Sequence, residues 1–190
     1  MAPLRRLWHD VKEALVIDEV RPATTHDLAA IWQLYAAVCD AQRTSTYSAE
    51  WHMGVYPARE DFIAALSEGT LFVGTLGGRI VSALVLMRHD DEAYAPVTWR
   101  LDVPANEVSV LHLLAVDPSL QRQGIARRML DEAVRIAQRW GKRAIHLDVM
   151  PHNLAASWLY ESFGFRCAGT CHVPYDDIGG TKLRVYEYAL

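Results

Sequence analysis

Apolar and polar residues recur along the chain with two regular periods, and the period changes from one segment to the next. A period near 3.6 residues predicts helices at 28–38, 57–66, 122–140 and 153–163. Short, almost continuous apolar runs predict strands at 14–21, 70–76, 79–88, 107–116, 143–149, 165–173 and 182–190. The helix at 122–140 has the clearest pattern, because Arg, Asp, Glu and Gln separate its apolar positions.

Glycine pairs and prolines mark the turns between these segments. The pair at 77–78 separates two apolar runs and supplies the positive φ angles of a two-residue turn, so a hairpin is expected over 70–88. The pair at 179–180 is expected to form the turn between the last two strands. Residues 89–106 are polar and contain two prolines, so they predict a long connection.

The order of these elements predicts the fold class. The run at 107–116 is apolar on both faces, which is typical of a central strand covered on both sides. No linker or repeat interrupts the order. We therefore expect one α+β domain over residues 14–190, with a central mixed, mostly antiparallel sheet of about seven strands and helices on both faces. Residues 1–13 are an extension whose apolar spacing predicts a short helix, packed against the domain or against the second subunit of a homodimer.

Composition and charge argue against several classes of protein. The 190 residues are 51% hydrophobic and 22% charged, as in ordinary globular domains. A net charge of −4 provides no cationic field for nucleic acid. The apolar runs are far shorter than the roughly 20 residues of a membrane span, and the N-terminal residues show no secretion signal, so no membrane partner is expected. Three cysteines are too few for a disulfide framework, which favours a reducing cytoplasm.

The segment 113–126 carries the first candidate site. It runs from a buried strand through a proline-containing turn into the amphipathic helix, and the first N–H groups of a helix lack partners. Gly124 and Ala126 leave that backbone open to a phosphate. Positive charge beside it comes from Arg122, Arg127 and Arg128. Taken alone, the pattern is more typical of a helix start with surface arginines, since it is neither a P-loop nor G-x-G-x-x-G.

A second segment changes this interpretation. Residues 121–126 match the pattern Q/R-x-x-G-x-G/A, and residues 153–165 match N-x-x-A-x-x-L-Y-x-x-x-G-F. In this order and spacing, the two motifs resemble those of the GNAT superfamily of acyl-CoA-dependent N-acetyltransferases. The resemblance is sharp over 108–165, and the order of helices and strands outside this range is consistent with it.

The resemblance implies an acyltransferase with acetyl-CoA as co-substrate and a primary amine, of a small molecule or a peptide, as acceptor. Loop N–H groups would hold the pyrophosphate, and the strand before them would pair with the pantetheine arm. Asn153 would hydrogen-bond that arm, an N–H near Leu114 would stabilise the oxyanion, and Tyr160 would act as general acid. The implied cofactor-binding residues are Leu114, Ala115, Val116, Gln121, Arg122, Gln123, Gly124, Ile125, Ala126, Asn153, Ala156 and Tyr160.

The acceptor amine must lose a proton before it attacks, so a base is also needed. Glu107 and His112 on the central strand are both candidates, and no motif decides between them. His146 and Asp148 share one face of a later strand, where we expect them to face a helix or water rather than to form a catalytic pair.

Several alternatives stay open from the sequence. A non-catalytic acyl-CoA sensor and a module that binds partners through its basic helix compete with the enzyme. The acceptor is not specified, although the aromatic-rich loop 40–56 and the loop 172–180, with Asp176 and Asp177, are expected to choose it. No metal is expected, because Cys167 and Cys171 would stand roughly 13 Å apart on an extended strand.

Overall fold

A computed structural model describes residues 17–175 and 179–190. The extension 1–13, with its expected helix, and the pair Asp176 and Asp177 lie outside the described residues. In chain order, the described helices and strands are β1 (Glu19–Pro22), α1 (Leu28–Gln42), α2 (Arg59–Ser67), β2 (Leu71–Leu76), β3 (Arg79–Met87), β4 (Val108–Val116), α3 (Ile125–Arg139), β5 (Ala144–Val149), α4 (Leu154–Phe163), β6 (Arg166–Tyr175) and β7 (Gly179–Ala189).

The described strands form one seven-stranded sheet in the order β1-β2-β3-β4-β5-β7-β6. Every neighbouring pair is antiparallel except β4 and β5, which confirms the mixed, mostly antiparallel sheet. This parallel pairing is short: it joins Val108–Val110 to Ala144–His146. The later residues of β5 pair with β7 alone, so β4 and β5 diverge toward their C-terminal ends.

Helices cover both faces of the sheet, as the sequence predicts. On one face, α1 and α2 bury Ile31 and Phe62 against β2, β3 and β4. On the other face, α3 and α4 bury Met129 and Tyr160 against β3, β4 and β5. The long connection 88–107 covers the first face beyond α1, where its Tyr94 packs against β4 and β7. Strand β4 is the fourth of the seven described strands, and this central position agrees with its covering on both faces.

Local side-chain contacts explain where α1 begins. The Asp27 carboxylate accepts hydrogen bonds from the backbone N–H (2.7 Å) and hydroxyl (2.9 Å) of Thr24. Arg21 of β1 donates to both oxygens of the same carboxylate, at 2.7 and 2.9 Å. The Arg21 hydrogen bond, and then those from Thr24, hold the pKa of Asp27 well below its usual range. These contacts fix the 3₁₀ turn Thr25–Asp27, and α1 continues from it at Leu28.

Several predicted boundaries are wrong. The expected strand 14–21 is described only from residue 17, and within that part β1 begins at Glu19. Helix α2 begins at Arg59 rather than Pro57. The start of α2 shifts because the Asp61 carboxylate accepts from the N–H of Ala58, which makes Ala58 the cap. The glycine pair 179–180 is not a turn: it lies in β7, paired with residues 174–175 of β6. Glycine permits a turn without requiring one.

Candidate active site

The divergence of β4 and β5 opens a cleft of about 1000 Å³. Its walls come from the second half of β4, the loop before α3, the end of β5, α4 and the loop 45–56. Among the expected cofactor-binding residues, all but Gln123 line this cleft. The two sequence motifs, separated by a helix and a strand, therefore meet at one site.

Strand β4 carries a bulge where it enters the cleft. The register between β3 and β4 shifts between Ala83 and Val85, so β4 has one extra residue at Leu113. Leu113 has a φ of 54°, a left-handed conformation that is uncommon for leucine. The buried Tyr35 of α1 donates a hydrogen bond to the Leu113 carbonyl, at the place where the register of the ladder shifts. The bulge re-aims the residues that follow, which line the cleft.

The loop between β4 and α3 presents a concave backbone to the cleft. Its first turn is fixed by Asp117, whose carboxylate accepts from the N–H (2.9 Å) and hydroxyl (2.7 Å) of Ser119. Arg122 and Gly124 then adopt positive φ angles of 61° and 85°. Left-handed residues next to right-handed ones turn successive N–H groups toward one side, which forms an anion-binding concavity. Helix α3 begins directly afterwards, at Ile125, and not at 122 as predicted.

The charge at the start of α3 also favours an anion. The first turn contains no acidic residue, but it carries Arg127 and Arg128. A helix N-terminus has partial positive charge, so cations are unfavourable there by a few tenths of a kcal/mol up to about 1 kcal/mol. Arg128 is compensated by Glu132 at 3.1 Å. A bound pyrophosphate would provide partners for the N–H groups of this first helical turn.

Helix α4 supplies the second wall. Asn153 caps it, because its side-chain oxygen accepts from the N–H of Ala156 at 3.2 Å. The cap uses only the oxygen, so the Asn153 NH₂ group can donate to a ligand independently. Tyr160 lies farther along the helix, nearly buried, with its ring edge-on to Phe165 at 5.5 Å. Burial, and then the charge of Asp148, raises the pKa of Tyr160, so the phenol keeps its proton at neutral pH.

A second group of titratable side chains lies where β4 and β5 diverge. His112 of β4 and Asp148 of β5 both line the cleft. His112 Nε2 lies 3.8 Å from a carboxylate oxygen of Asp91, and Tyr94 donates a hydrogen bond of 2.5 Å to Asp148. Burial raises the pKa of Asp148, and the charge of His112 and the Tyr94 hydrogen bond oppose that rise. The arrangement can attract a cationic amine and accept its proton.

Glu107, the other candidate base, lies away from the cleft. It ends a 3₁₀ turn at Ala105–Glu107, before β4 begins. Its carboxylate lies 3.2 Å from Arg143 Nη1, at the surface. Glu107 lies five positions before His112 in the chain, and five positions span about 16 Å along a strand. The structure therefore brings His112, and not Glu107, to the cleft wall.

His146 and Asp148 share a face of β5, and both contact the connection 88–107. His146 is 1% exposed, its Nδ1 lies 2.9 Å from Asp90, and its ring stacks on Trp99 at 3.5 Å. Its Nε2 lies 3.4 Å from the buried Glu187. This buried network fixes the connection next to the cleft, and it does not pair His146 with Asp148.

Sequence reasoning missed Asp148, Asp91 and Tyr94 as site residues. One signal was present: Asp148 interrupts an apolar strand between Leu147 and Val149. A carboxylate is rarely found in a buried strand unless it has a partner or a function. Asp91 and Tyr94 give no comparable signal, because they lie in a polar connection.

No group of three or more His, Cys, Asp and Glu side chains is arranged to hold a metal ion within residues 17–175 and 179–190. Over the same part of the chain, no helix is both long and apolar enough to cross a membrane.

Comparison with known proteins gives a consistent result. The sequence profile of the acetyltransferase (GNAT) family matches residues 28–165. The [ribosomal protein bS18]-alanine N-acetyltransferase of Escherichia coli is 40% identical over 57 residues, which is 30% of this chain and 38% of that protein. The chloroplastic GCN5-related N-acetyltransferase 4 of Arabidopsis thaliana is 43% identical over 73 residues, 38% of this chain and 25% of that protein.

These matches are local, but the fold is shared throughout. The chain spans well under two thirds of the length of both relatives. A crystal structure of a GNAT-family acetyltransferase from Streptococcus agalactiae has a TM-score of 0.76 to this chain. The two are 18% identical, and the superposition covers 92% of this chain and 98% of the other.

Proposed function

The chain belongs to the acetyltransferase (GNAT) family, and from that premise we propose that it moves an acetyl group from acetyl-CoA to a primary amine. One observation carries the proposal. A single cleft joins the anion-binding loop before α3, the open edge of β4 and the phenol of Tyr160. Acetyl-CoA supplies a pyrophosphate, an amide-containing arm and a thioester, and each has a counterpart along this cleft.

Both backbone and side-chain groups of the chain contact acetyl-CoA in this proposal. The N–H groups of residues 121–126 and the first turn of α3 hold the pyrophosphate. The β4 backbone at 114–116, left unpaired on the β5 side within the described sheet, pairs with the pantetheine amides. Asn153 donates to the same arm from the opposite wall. Backbone contacts dominate, so the fold of β4 and its bulge set the position of the thioester.

At the reacting end, the side chains hold and move protons. A backbone N–H near Leu114 donates to the carbonyl oxygen of the thioester as it gains charge. Tyr160 donates its proton to the sulfur that leaves. His112 accepts the proton of the attacking amine, and Asp91 stabilises the imidazolium that results. The amine attacks directly in a ternary complex, without an acyl-enzyme.

The geometry also favours one class of acceptor. An α-amino group, of pKa about 8, gives up its proton to a base far more readily than a lysine amine of pKa about 10.4. The acceptor half of the cleft combines the aromatic rings of Tyr47, Trp51 and Tyr56 with the carboxylate of Asp148. The relative from E. coli is named for the alanine of a ribosomal protein. Peptide N-termini are therefore the first acceptors to test.

The experiment starts with the co-substrate and then varies the acceptor. Acetyl-CoA at about 100 times its dissociation constant should stabilise the fold by about 2.7 kcal/mol, whereas ATP should do markedly less. Release of free CoA is then followed with peptides, amino acids, polyamines and other small amines. An unchanged melting temperature in millimolar acetyl-CoA would contradict the proposal.

Gly124→Leu tests the loop directly, with Gly141→Leu as a matched control. Both glycines have positive φ angles, 85° and 70°, at opposite ends of α3, so each substitution introduces similar backbone strain of roughly 1–2 kcal/mol. Only at Gly124 does the new side chain occupy the phosphate position. We expect Gly124→Leu to abolish the thermal shift with acetyl-CoA and Gly141→Leu to retain it. Equal shifts in both variants would remove the loop from the binding site.

A further inference from the structure

Helix α4 presents an exposed apolar edge to the cleft. Trp158 is 72% exposed and Leu154, one turn earlier, is 52% exposed, yet both line the cleft. Ser162, one turn later, continues the same line. Residues four positions apart share a helix face, so these three form one continuous edge. An indole is the side chain with most to gain from being covered.

The exposed edge of α4 lies at one margin of the cleft. Tyr160, beside which the thioester reacts in the proposed function, lies at the other margin. At 100° per residue, Trp158 and Tyr160 point about 200° apart around α4. Tyr160 is nearly buried, whereas Trp158 faces solvent. A ligand whose reactive end lies beside Tyr160, and whose middle lies on the loop before α3, therefore has its far end at the solvent margin of the cleft.

A cation lies at the end of this edge. Arg127, in the first turn of α3, donates to the Ser162 carbonyl at 3.5 Å, and its guanidinium lies 5.3 Å from the centre of the Phe163 ring. These contacts hold Arg127 between the anion-binding loop and the apolar edge of α4. Arg127 also lines the cleft. The solvent margin therefore offers an aromatic face with a positive charge close to it.

The far end of coenzyme A has the complementary chemistry. It is an adenine ring on a ribose that carries a 3′-phosphate. Purines stack on exposed aromatic side chains, and guanidinium groups form bidentate hydrogen bonds with phosphates. The pyrophosphate connects this end to the arm, so a ligand bound on residues 121–126 brings it next to α4.

We propose that Trp158 stacks on the adenine ring of acetyl-CoA and that Arg127 binds its 3′-phosphate. This inference rests on the proposed function, since it places the remaining third of the same ligand. It assigns to this chain a nucleotide subsite that neither sequence motif contains, because Trp158 occupies a variable position of the second motif.

The test compares whole and truncated ligands by calorimetric titration. Acetyl-CoA carries the complete nucleotide, acetyl-dephospho-CoA lacks the 3′-phosphate, and S-acetyl-pantetheine lacks the nucleotide altogether. Trp158→Ala should weaken acetyl-CoA binding about 5- to 100-fold and leave S-acetyl-pantetheine unchanged. Trp158→Phe should recover most of the loss. Arg127→Gln should weaken acetyl-CoA but not acetyl-dephospho-CoA.

The control is Ile63→Ala, which removes a similarly exposed apolar side chain from α2, away from the cleft. It should change none of the affinities. If Trp158→Ala binds acetyl-CoA as wild type does, the subsite is wrong while the proposed function stands. If sedimentation shows a wild-type dimer that Trp158→Ala dissociates with no loss of acetyl-CoA affinity, the edge joins two copies of the chain and the subsite is again wrong. Failure of wild type to bind any of the three ligands would instead contradict the proposed function.

Discussion

At the scale of single residues, burial has two opposite effects on Tyr160: it keeps the phenol protonated, and it makes the phenol a weaker acid. Burial keeps the phenol neutral, which a proton donor requires, because it raises the pKa above the usual 10. A phenol of pKa about 10 is already a weaker acid than a thiol of pKa about 8.5, and burial widens this difference. General acid catalysis spans about 10²- to 10⁴-fold, and the low end of that range is expected here.

Tyr160→Phe should therefore lower kcat about 100-fold and leave the affinity for acetyl-CoA nearly unchanged. The hydroxyl acts mainly as the C–S bond breaks, so its loss affects the transition state more than the bound thioester. Steady-state kinetics and calorimetric titration provide the two values. Tyr186→Phe is the matched control, since that ring lies 6.5 Å away and its hydroxyl contacts Glu161 instead. A normal kcat in Tyr160→Phe would remove the phenol from the mechanism.

The pKa of Asp148 gives a second expectation, about pH. The carboxylate attracts the amine only when charged, and burial raises its pKa, so the charge is lost at a higher pH than for an exposed aspartate. As pH falls through this pKa, kcat/KM for the amine should fall. Asp148→Asn should lower the plateau and remove this limb. Tyr94→Phe should move the limb to higher pH, because it removes a hydrogen bond that stabilises the charged form.

The measurement is the ratio of kcat/KM between variant and wild type at each pH. The titration of the amine itself is common to both proteins and cancels in that ratio. A ratio for Tyr94→Phe that does not change with pH would contradict the role given to Asp148.

What the sequence predicts at this scale depends on how local the contacts are. Asn153, Tyr160 and Gly124 lie in contiguous motifs, and all three line the cleft. Tyr94 reaches Asp148 from 54 positions away in the chain. A contact of that kind depends on how a polar connection folds over the sheet, and no periodicity encodes it.

At the scale of elements, regular patterns predict well and irregular ones do not. The amphipathic pattern of α3 places Met129, Leu130 and Ala133 in the core, as observed. The connection 88–107 has no period, yet it acts as a covering element on the sheet. His146, Trp99 and Lys142 hold it in place, and Lys142 donates to the carbonyls of Asn106 (2.7 Å) and Arg88.

His146→Phe tests whether the connection 88–107 affects binding of the amine without affecting binding of acetyl-CoA. The variant keeps the stacked ring but leaves the partly buried Asp90 and the buried Glu187 without their histidine, which should cost about 1–3 kcal/mol in the free energy of unfolding. The connection carries Asp91 and Tyr94, so KM for the amine should rise. The acetyl-CoA walls belong to β4, α3 and α4, so that affinity should be unchanged.

Urea unfolding, amine kinetics and acetyl-CoA titration separate these effects. Leu183→Ala removes a buried side chain that packs beneath the same connection and is the control for a general loss of stability. If both variants raise KM equally, the network has only a structural role.

At the scale of the whole molecule, the two faces of the sheet have different tasks. One face, under α3 and α4, brings together the phosphate loop, Asn153 and Tyr160. The other, under α1 and the connection, brings His112, Asp148 and Asp91 to the same opening. Composition and periodicity predict the class of sheet and its double covering. They cannot predict the strand order or where β4 and β5 diverge, because both depend on long-range pairing.

The divergence of β4 and β5 has one more consequence, for self-association. A strand edge with free N–H and C=O groups is a template for a strand of another chain, and exposed edges of this kind promote aggregation. The open edge of β4 lies in the middle of the sheet and not at its border, with α1 packed on one side and α4 lining the other. A narrow ligand can enter this gap, whereas a second folded chain is too wide. The protein thus keeps an unpaired strand available for binding while shielding it from its own copies.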